Sequence, residues 1–185
     1  MTIEGLLLAA GAGRRMGQPK ALVRDDDGTS WLLRAVQVLQ DGGCSHVTVV
    51  LGAAVDEPTA LLEGTGARIV VAPDWSEGMS ASLRAGLREI GGTDGDAVVI
   101  TLVDLPDVSG DVVERVTRSP VDTRTLRRAA YANRPGHPVV LGREHWQPVI
   151  ESAVGDRGAR DYLSHRDVEL IECGDLATGR DVDSR

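Results

Sequence analysis

Apolar residues along this chain fall into two alternating rhythms. Short, nearly unbroken apolar runs predict strands at Gly5–Ala10, Val47–Leu51, Ala67–Val71 and Ala97–Val103, and continuous runs of this kind suit strands covered on both faces. Between the runs, apolar residues recur at helical spacing. Leu32, Leu33, Val36 and Leu39 predict a helix through Ser30–Gln40 that Gly42-Gly43 stops. Further helices are predicted over Glu57–Leu62, from Ser80 to Ile90 (Leu83, Leu87 and Ile90 on one face) and over Gly110–Thr117. Past about residue 118 the rhythm loosens. Leu126–Ala132 and Pro138–Leu141 read as short strands around a turn, Gln147–Ala153 and Ala159–His165 as helices, and Val168–Glu172 as a last strand. This alternation predicts a single α/β domain over residues 1–185, with a Rossmann-like, doubly wound, mostly parallel sheet and helices on both faces. Ligands on such sheets sit beyond the carboxyl ends of the strands.

Composition narrows the partners. At 185 residues the chain can bury a real core, but it contains no phenylalanine, so Val, Leu, Ile and Ala must build it. Charged residues make up 26% and the net charge is −8, which argues against a general grip on nucleic acid. No apolar run reaches membrane-spanning length, and the start lacks the basic-then-apolar layout of a signal peptide. Cys44 and Cys173 form no Cys-x-x-Cys, so reduced thiols in a cytoplasmic protein are expected. Sequence alone leaves a monomer and a weak homo-oligomer both open.

Against this acidic background, positive charge gathers at Arg14, Arg15 and Lys20, inside Leu6-Leu7-Leu8-Ala9-Ala10-Gly11-Ala12-Gly13-Arg14-Arg15-Met16-Gly17-Gln18-Pro19-Lys20. Glycines after a strand let backbone N–H groups approach an anion. Lys20 is the chain's only lysine, and the rest of its 20 Lys and Arg residues are arginine, so a point-charge role suits it. The Walker pattern fails, because five residues separate Gly11 from Gly17 and Gln18 follows. The dinucleotide fingerprint fails too: Met16 stands where its third glycine belongs, and the second strand ends in Leu51-Gly52 without an acid. A plain glycine-rich turn is the remaining non-functional reading. Two arginines and a lysine are superfluous to a turn. The pattern Leu-Ala-Ala-Gly-x-Gly-x-Arg-Met-Gly-x-x-Lys resembles the signature loop of the molybdenum-cofactor nucleotidyltransferase family (MobA-like NTP transferases), and within it the cytidylyltransferase branch. The resemblance implies a fold like that of the nucleotide-diphospho-sugar transferases. It also implies nucleotide contacts from Leu8, Ala9, Ala10, Gly11, Gly13, Arg15 and Lys20.

Other segments extend the resemblance over almost the whole chain. Thr101-Leu102-Val103-Asp104-Leu105-Pro106 puts Asp104 just past a strand, on the same sheet edge as the glycine loop. A carboxylate facing a polyphosphate needs a cation between them, and Mg²⁺ is the usual one. A turn or helix-capping aspartate is the alternative. The family's metal-binding aspartate segment is similar, except that Val103 replaces a small residue. Asp181-Val182-Asp183-Ser184 looks like the family's late Asp-x-Asp-Thr-Pro, which implies Asp183, or failing that Asp181, as a second metal ligand. Gly78-Met79-Ser80-Ala81-Ser82-Leu83 resembles its nucleotide-base loop, implying contacts from Gly78, Ser80 and Ser82, although either serine could be a helix cap. Arg134-Pro135-Gly136-His137-Pro138 and Gly155–Arg160 resemble the acceptor segments. They imply Arg134 and His137 as contacts to the acceptor's phosphate, with Arg160 either joining them or pairing with Asp156 or Asp161. Trp75, Trp146, Tyr131 and Tyr162 are expected to pack, and His145 and His165 to have no role.

These features predict a Mg²⁺-dependent nucleotidyltransferase in which Arg15, Lys20 and Asp104 carry catalysis. The resemblance implies transfer of a nucleoside monophosphate from an NTP to a phosphorylated acceptor such as molybdopterin, releasing pyrophosphate. Ala10 leans toward CTP. Two other readings stay open. One is an NAD(P)H-dependent oxidoreductase of the nicotine blue oxidoreductase type, whose loops look closely similar. The other is a non-catalytic nucleotide- or cofactor-binding domain.

Overall fold

The computed structural model describes residues 1–182. Its centre is β1 (Ile3–Leu8), flanked by parallel β2 (His46–Leu51) and β4 (Ala97–Leu102). The seven strands lie in the order β3-β2-β1-β4-β6-β5-β7, where β3 is Arg68–Val71, β5 Leu126–Tyr131, β6 Arg134–Gly142 and β7 Glu169–Glu172. Only β6 runs against the others, pairing antiparallel with both β4 and β5. β1, β2 and β4 are buried almost throughout, as their continuous apolar runs require.

Period-two alternation splits these runs between two cores. Leu7, Ala9, Val47, Val49 and Val99 face one side, which is covered by α1 (Trp31–Asp41), α2 (Asp56–Leu62) and α4 (Gly110–Thr117). Leu6, Leu8, Val50, Val98 and Ile100 face the other, under α3 (Met79–Gly91), α5 (Trp146–Ser152) and α6 (Arg160–Ser164). The doubly wound architecture expected from the sequence is therefore present. α1 begins where Ser30 caps it, its hydroxyl accepting from the Leu33 N–H at 3.4 Å, and ends at Gly42.

The largest departure from the sequence reading lies in β6, which extends over nine residues rather than the four at Pro138–Leu141. Pro135, Gly136 and Pro138 weaken the strand signal. Its apolar half, Val139–Gly142, pairs with β4, whereas its proline-rich half runs past the ladder toward the carboxyl ends of the parallel strands and pairs with β5 alone. The β5–β6 turn is Ala132-Asn133, both with positive φ (51° and 61°), as a two-residue hairpin requires. The Glu172 carboxylate holds that turn, accepting from the N–H groups of Ala132 (2.9 Å), Asn133 (3.0 Å) and Gly174 (2.9 Å). These three donors hold its pKa below the usual carboxylate range.

Candidate active site

β1 and β4 lie side by side in register, Leu8 opposite Leu102, while the strands on either side of the pair lead away in opposite directions. This is the switch point at which open α/β sheets leave a crevice. The glycine loop fills one side of it. The Met16 N–H donates to the Gly13 carbonyl (2.8 Å) and the Lys20 N–H to that of Gly11 (3.1 Å), closing the loop on itself. Gly13 has φ +56°, and any side chain there would run into the Gln18 carbonyl. Lys20 opens a 3-10 turn over Lys20–Leu22 that buried Ala21 anchors, and its ammonium pairs with the Asp104 carboxylate across the crevice. Asp104 is 4% exposed. Its carbonyl accepts from the Val182 N–H at 3.0 Å, which pins the C-terminal segment beside it.

A cavity of about 340 Å³ opens between these elements, walled by Ala10, Gly11, Gly13, Lys20, Gly78, Ser82 and Asp104. Gly78, at φ +116°, precedes α3. A Cβ there would lie 2.5 Å from the Asp156 carboxylate and 2.7 Å from the backbone of Gly155. Asp156 thus reaches the cavity only because position 78 lacks a side chain. A second cavity, of about 290 Å³, adjoins the first and shares Leu8, Met79, Leu102 and Asp156 with it. His137, Arg128, Arg157, Arg160 and Asp181 also line it. Burial, and then the charges of Arg128 and Arg160, lower the His137 pKa to about 4, so the imidazole is neutral near pH 7. Burial and the neighbouring Arg160 likewise lower the pKa of Arg128.

Most residues expected at the site line it: Leu8, Ala10, Gly11, Gly13, Lys20, Gly78, Ser82 and Asp104 around the first cavity, and His137 and Arg160 in the second. Four placements differ. The side chain of Ala9 belongs to the core and its N–H donates to the Val50 carbonyl (2.9 Å), because alternation along β1 turns it from the crevice. Arg15 is exposed on the Gly13–Met16 turn, and the cavity wall takes Arg14 instead. Ser80 is fully buried, its hydroxyl accepting from the Gly158 N–H at 3.1 Å, so it fastens the Gly155–Arg160 loop to α3 without lining either cavity. Arg134 lines a third recess with Thr178 and Arg180, which borders the second cavity at Pro135, Gly136, Gly179 and Asp181; three residues along a strand put it on the opposite face from His137.

Asp183 lies outside the described residues; its neighbour Val182 is the residue bonded to Asp104, and Asp181 lines the second cavity. Arg157, not Arg160, pairs with Asp161 (3.1 Å). Trp75, expected only to pack, lines the first cavity. Arg128 was missed because its signal is cross-strand: closing the hairpin at Ala132-Asn133 sets it opposite Val139, on the face that also carries His137.

The site suits a divalent cation. Asp104 is a nearly buried carboxylate that already holds a positive group, the Lys20 ammonium. Among the described residues no three His, Cys, Asp or Glu side chains gather around a metal position. One or two carboxylates plus phosphate oxygens is, however, the usual donor set for Mg²⁺ beside a nucleotide. Cys44 and Cys173 are free and buried, and burial pushes the Cys44 thiol up to about 12, so it stays protonated. No helix among the described residues is long and apolar enough to cross a membrane.

Residues 5–170 match the model of the MobA-like NTP transferase domain. Nicotine blue oxidoreductase of Paenarthrobacter nicotinovorans is 37% identical over 192 residues, covering 98% of this chain and 92% of that protein. Molybdenum cofactor guanylyltransferase of Rhodobacter capsulatus is 31% identical, covering 81% of this chain and 68% of that protein. Among solved structures, the complex of Rv0371c from Mycobacterium tuberculosis H37Rv with manganese superposes with a TM-score of 0.79. It is 25% identical and covers 98% of this chain and 94% of that one.

Two outcomes follow from the geometry. Gly78→Ala must move Asp156 and the Gly155 backbone or distort α3's start; we expect it to destabilise the fold by about 1–3 kcal/mol in urea unfolding. The neutral His137 makes stability fall with acidification. The unfolded chain takes up a proton near the ordinary value of 6.5 and the native one only near about 4, so stability is lost as pH falls through that window. Urea midpoints measured from pH 7 to 4 should show a shallower decline in His137→Gln.

Proposed function

We propose that this chain, which belongs to the MobA-like NTP transferase family, transfers a nucleoside monophosphate from a nucleoside triphosphate to a small phosphorylated acceptor and releases pyrophosphate. One observation carries the reading: Lys20 and Asp104 meet across a 340 Å³ cavity at the β1/β4 switch point, with a second cavity adjoining it. The triphosphate enters the first cavity and the acceptor, with molybdopterin as the preferred candidate, the second. An acceptor phosphate oxygen attacks the α-phosphorus in line; the new P–O bond forms as the bond to the departing pyrophosphate breaks.

No covalent enzyme intermediate is needed, so this chain's residues act by positioning and electrostatics. The loop amides face the phosphates. Lys20 leaves the Asp104 carboxylate to neutralise charge gathering on pyrophosphate, and Arg15, on its exposed turn, adds long-range positive potential. Asp104, and by the family resemblance Asp183, which lies outside the described residues, are the residues that would hold Mg²⁺. That ion, when bound, neutralises phosphate oxygens and polarises the α-phosphorus. The manganese in the Rv0371c complex is consistent with a divalent site in a related protein.

CTP is the favoured donor, because Leu8-Ala9-Ala10-Gly11 resembles the loop of the cytidylyl branch, where the guanylyl branch has Leu-Ala-Gly-Gly. The name of the Rhodobacter relative points to GTP instead. A second reading, NAD(P)H-dependent oxidoreduction, is favoured by the name of the Paenarthrobacter relative, which is alike over nearly the full chain. On the transferase reading the protein is cytoplasmic, acts as a monomer or weak homo-oligomer, and binds no nucleic acid.

Pyrophosphate release, assayed with each of the four NTPs, Mg²⁺ and a panel of phosphorylated acceptors with molybdopterin first, tests the proposal. CTP should give the highest rate. Mg²⁺–CTP should raise Tm; stabilisation by NADPH alone would favour the oxidoreductase. Binding without release with any acceptor would favour a non-catalytic domain. Lys20→Ala should lower kcat/KM by about 30- to 1,000-fold, or about 2–4 kcal/mol of transition-state stabilisation.

A further inference from the structure

The second cavity concentrates positive charge in a way the fold does not require. Its floor is apolar, made by Leu8, Ile100, Leu102 and Val139. Into it β5 brings Arg128 and the start of α6 brings Arg160, close enough that each charge disfavours protonation of neighbouring His137. Arg128 donates through Nε to the Gly136 carbonyl (3.1 Å), and among the described residues neither guanidinium has an ion-pair partner. Three arginines elsewhere show the contrast. Arg115, Arg127 and Arg157 each hold a carboxylate, from Asp175, Glu169 and Asp161. Two acids, Asp156 and Asp181, reach the cavity wall, yet neither pairs with Arg128 or Arg160.

Half-buried Arg128, whose charge is disfavoured by burial and by Arg160 beside it, gains most when an anion joins the two. We propose that Arg128 and Arg160 form a receptor for a phosphomonoester dianion whose carbon body lies on the apolar floor. Guanidinium forks match phosphate oxygens bidentately, and two of them suit a dianion better than a carboxylate. Neutral His137 adds a hydrogen-bonding ring without a third charge. The inference deepens the reading above, since it places the acceptor's nucleophilic phosphate next to the wall shared with the nucleotide cavity. It also moves the grip from Arg134 to Arg128 and Arg160.

Calorimetric titration of the nucleotide-free protein with phenyl phosphate, inorganic phosphate and benzoate tests this. Phenyl phosphate should bind most tightly and benzoate at least tenfold more weakly. Arg128→Gln and Arg160→Gln should each weaken phenyl phosphate at least tenfold, while Arg118→Gln, on exposed α4's end beside Glu114, should leave it unchanged. Arg160 is exposed, so its variant tests the proposal even if Arg128→Gln fails to fold. Equal binding by the Arg160 variant and wild type, equal affinity for benzoate, or phosphate binding abolished only by Lys20→Ala would overturn it. Arginine-dependent phenyl phosphate binding without pyrophosphate release from any NTP would leave this site standing and remove the transferase reading. Transfer that is indifferent to both variants would do the reverse.

Discussion

The ion pair between Lys20 and Asp104 is the contact on which the rest of the site depends. Asp104 follows a buried strand and Lys20 opens the turn that closes the glycine loop, and their meeting bridges the crevice beside β1 and β4. Asp104 is held by the last residues of an almost wholly apolar strand and by the Val182 N–H on its carbonyl. Lys20 is held by a loop that hydrogen-bonds to itself and by the burial of Ala21. A nearly buried carboxylate without a cation would be expensive. The pair therefore keeps this corner of the first cavity charged and organised, and it defines what any anion entering there must displace.

The two cavities are joined by small contacts made by residues that carry no charge. Gly78 admits Asp156 to the shared wall, and buried Ser80 ties the Gly158 backbone to α3. The helix that begins at the first cavity thus also holds the segment that walls the second. Where two chambers must keep a fixed spacing, such a bond has more influence than its modest free energy of about 1 kcal/mol suggests.

Much of this was legible in the sequence because the signals were local. Unbroken apolar runs gave the parallel strands to within a residue or two, and the loop from Gly11 to Lys20 combines glycines and cations that a structural turn has no use for. The placements that differ from the sequence reading share one cause. Local pattern does not say which face a residue takes once strands pair. Ala9 and Arg134 have plausible neighbours in sequence but face away from the cavities, while Arg128 looks like an ordinary strand arginine until the hairpin sets it beside His137. Ser80 shows the same limit in a helix: burial turns its hydroxyl toward Gly158 rather than the cavity. The prolines of β6 hid a strand because only half of it has to join a full ladder.

The carboxylate of Glu172, clasping three amides at the hairpin tip, ties the β5–β6 ribbon to the final strand and not to the glycine loop. The molecule consequently has two separately moored frames, one walling the first cavity and one the second. Side chains on the ribbon's inner surface can diverge without loosening the Lys20–Asp104 corner. A single scaffold of this kind can keep one chamber constant while its descendants reshape the other.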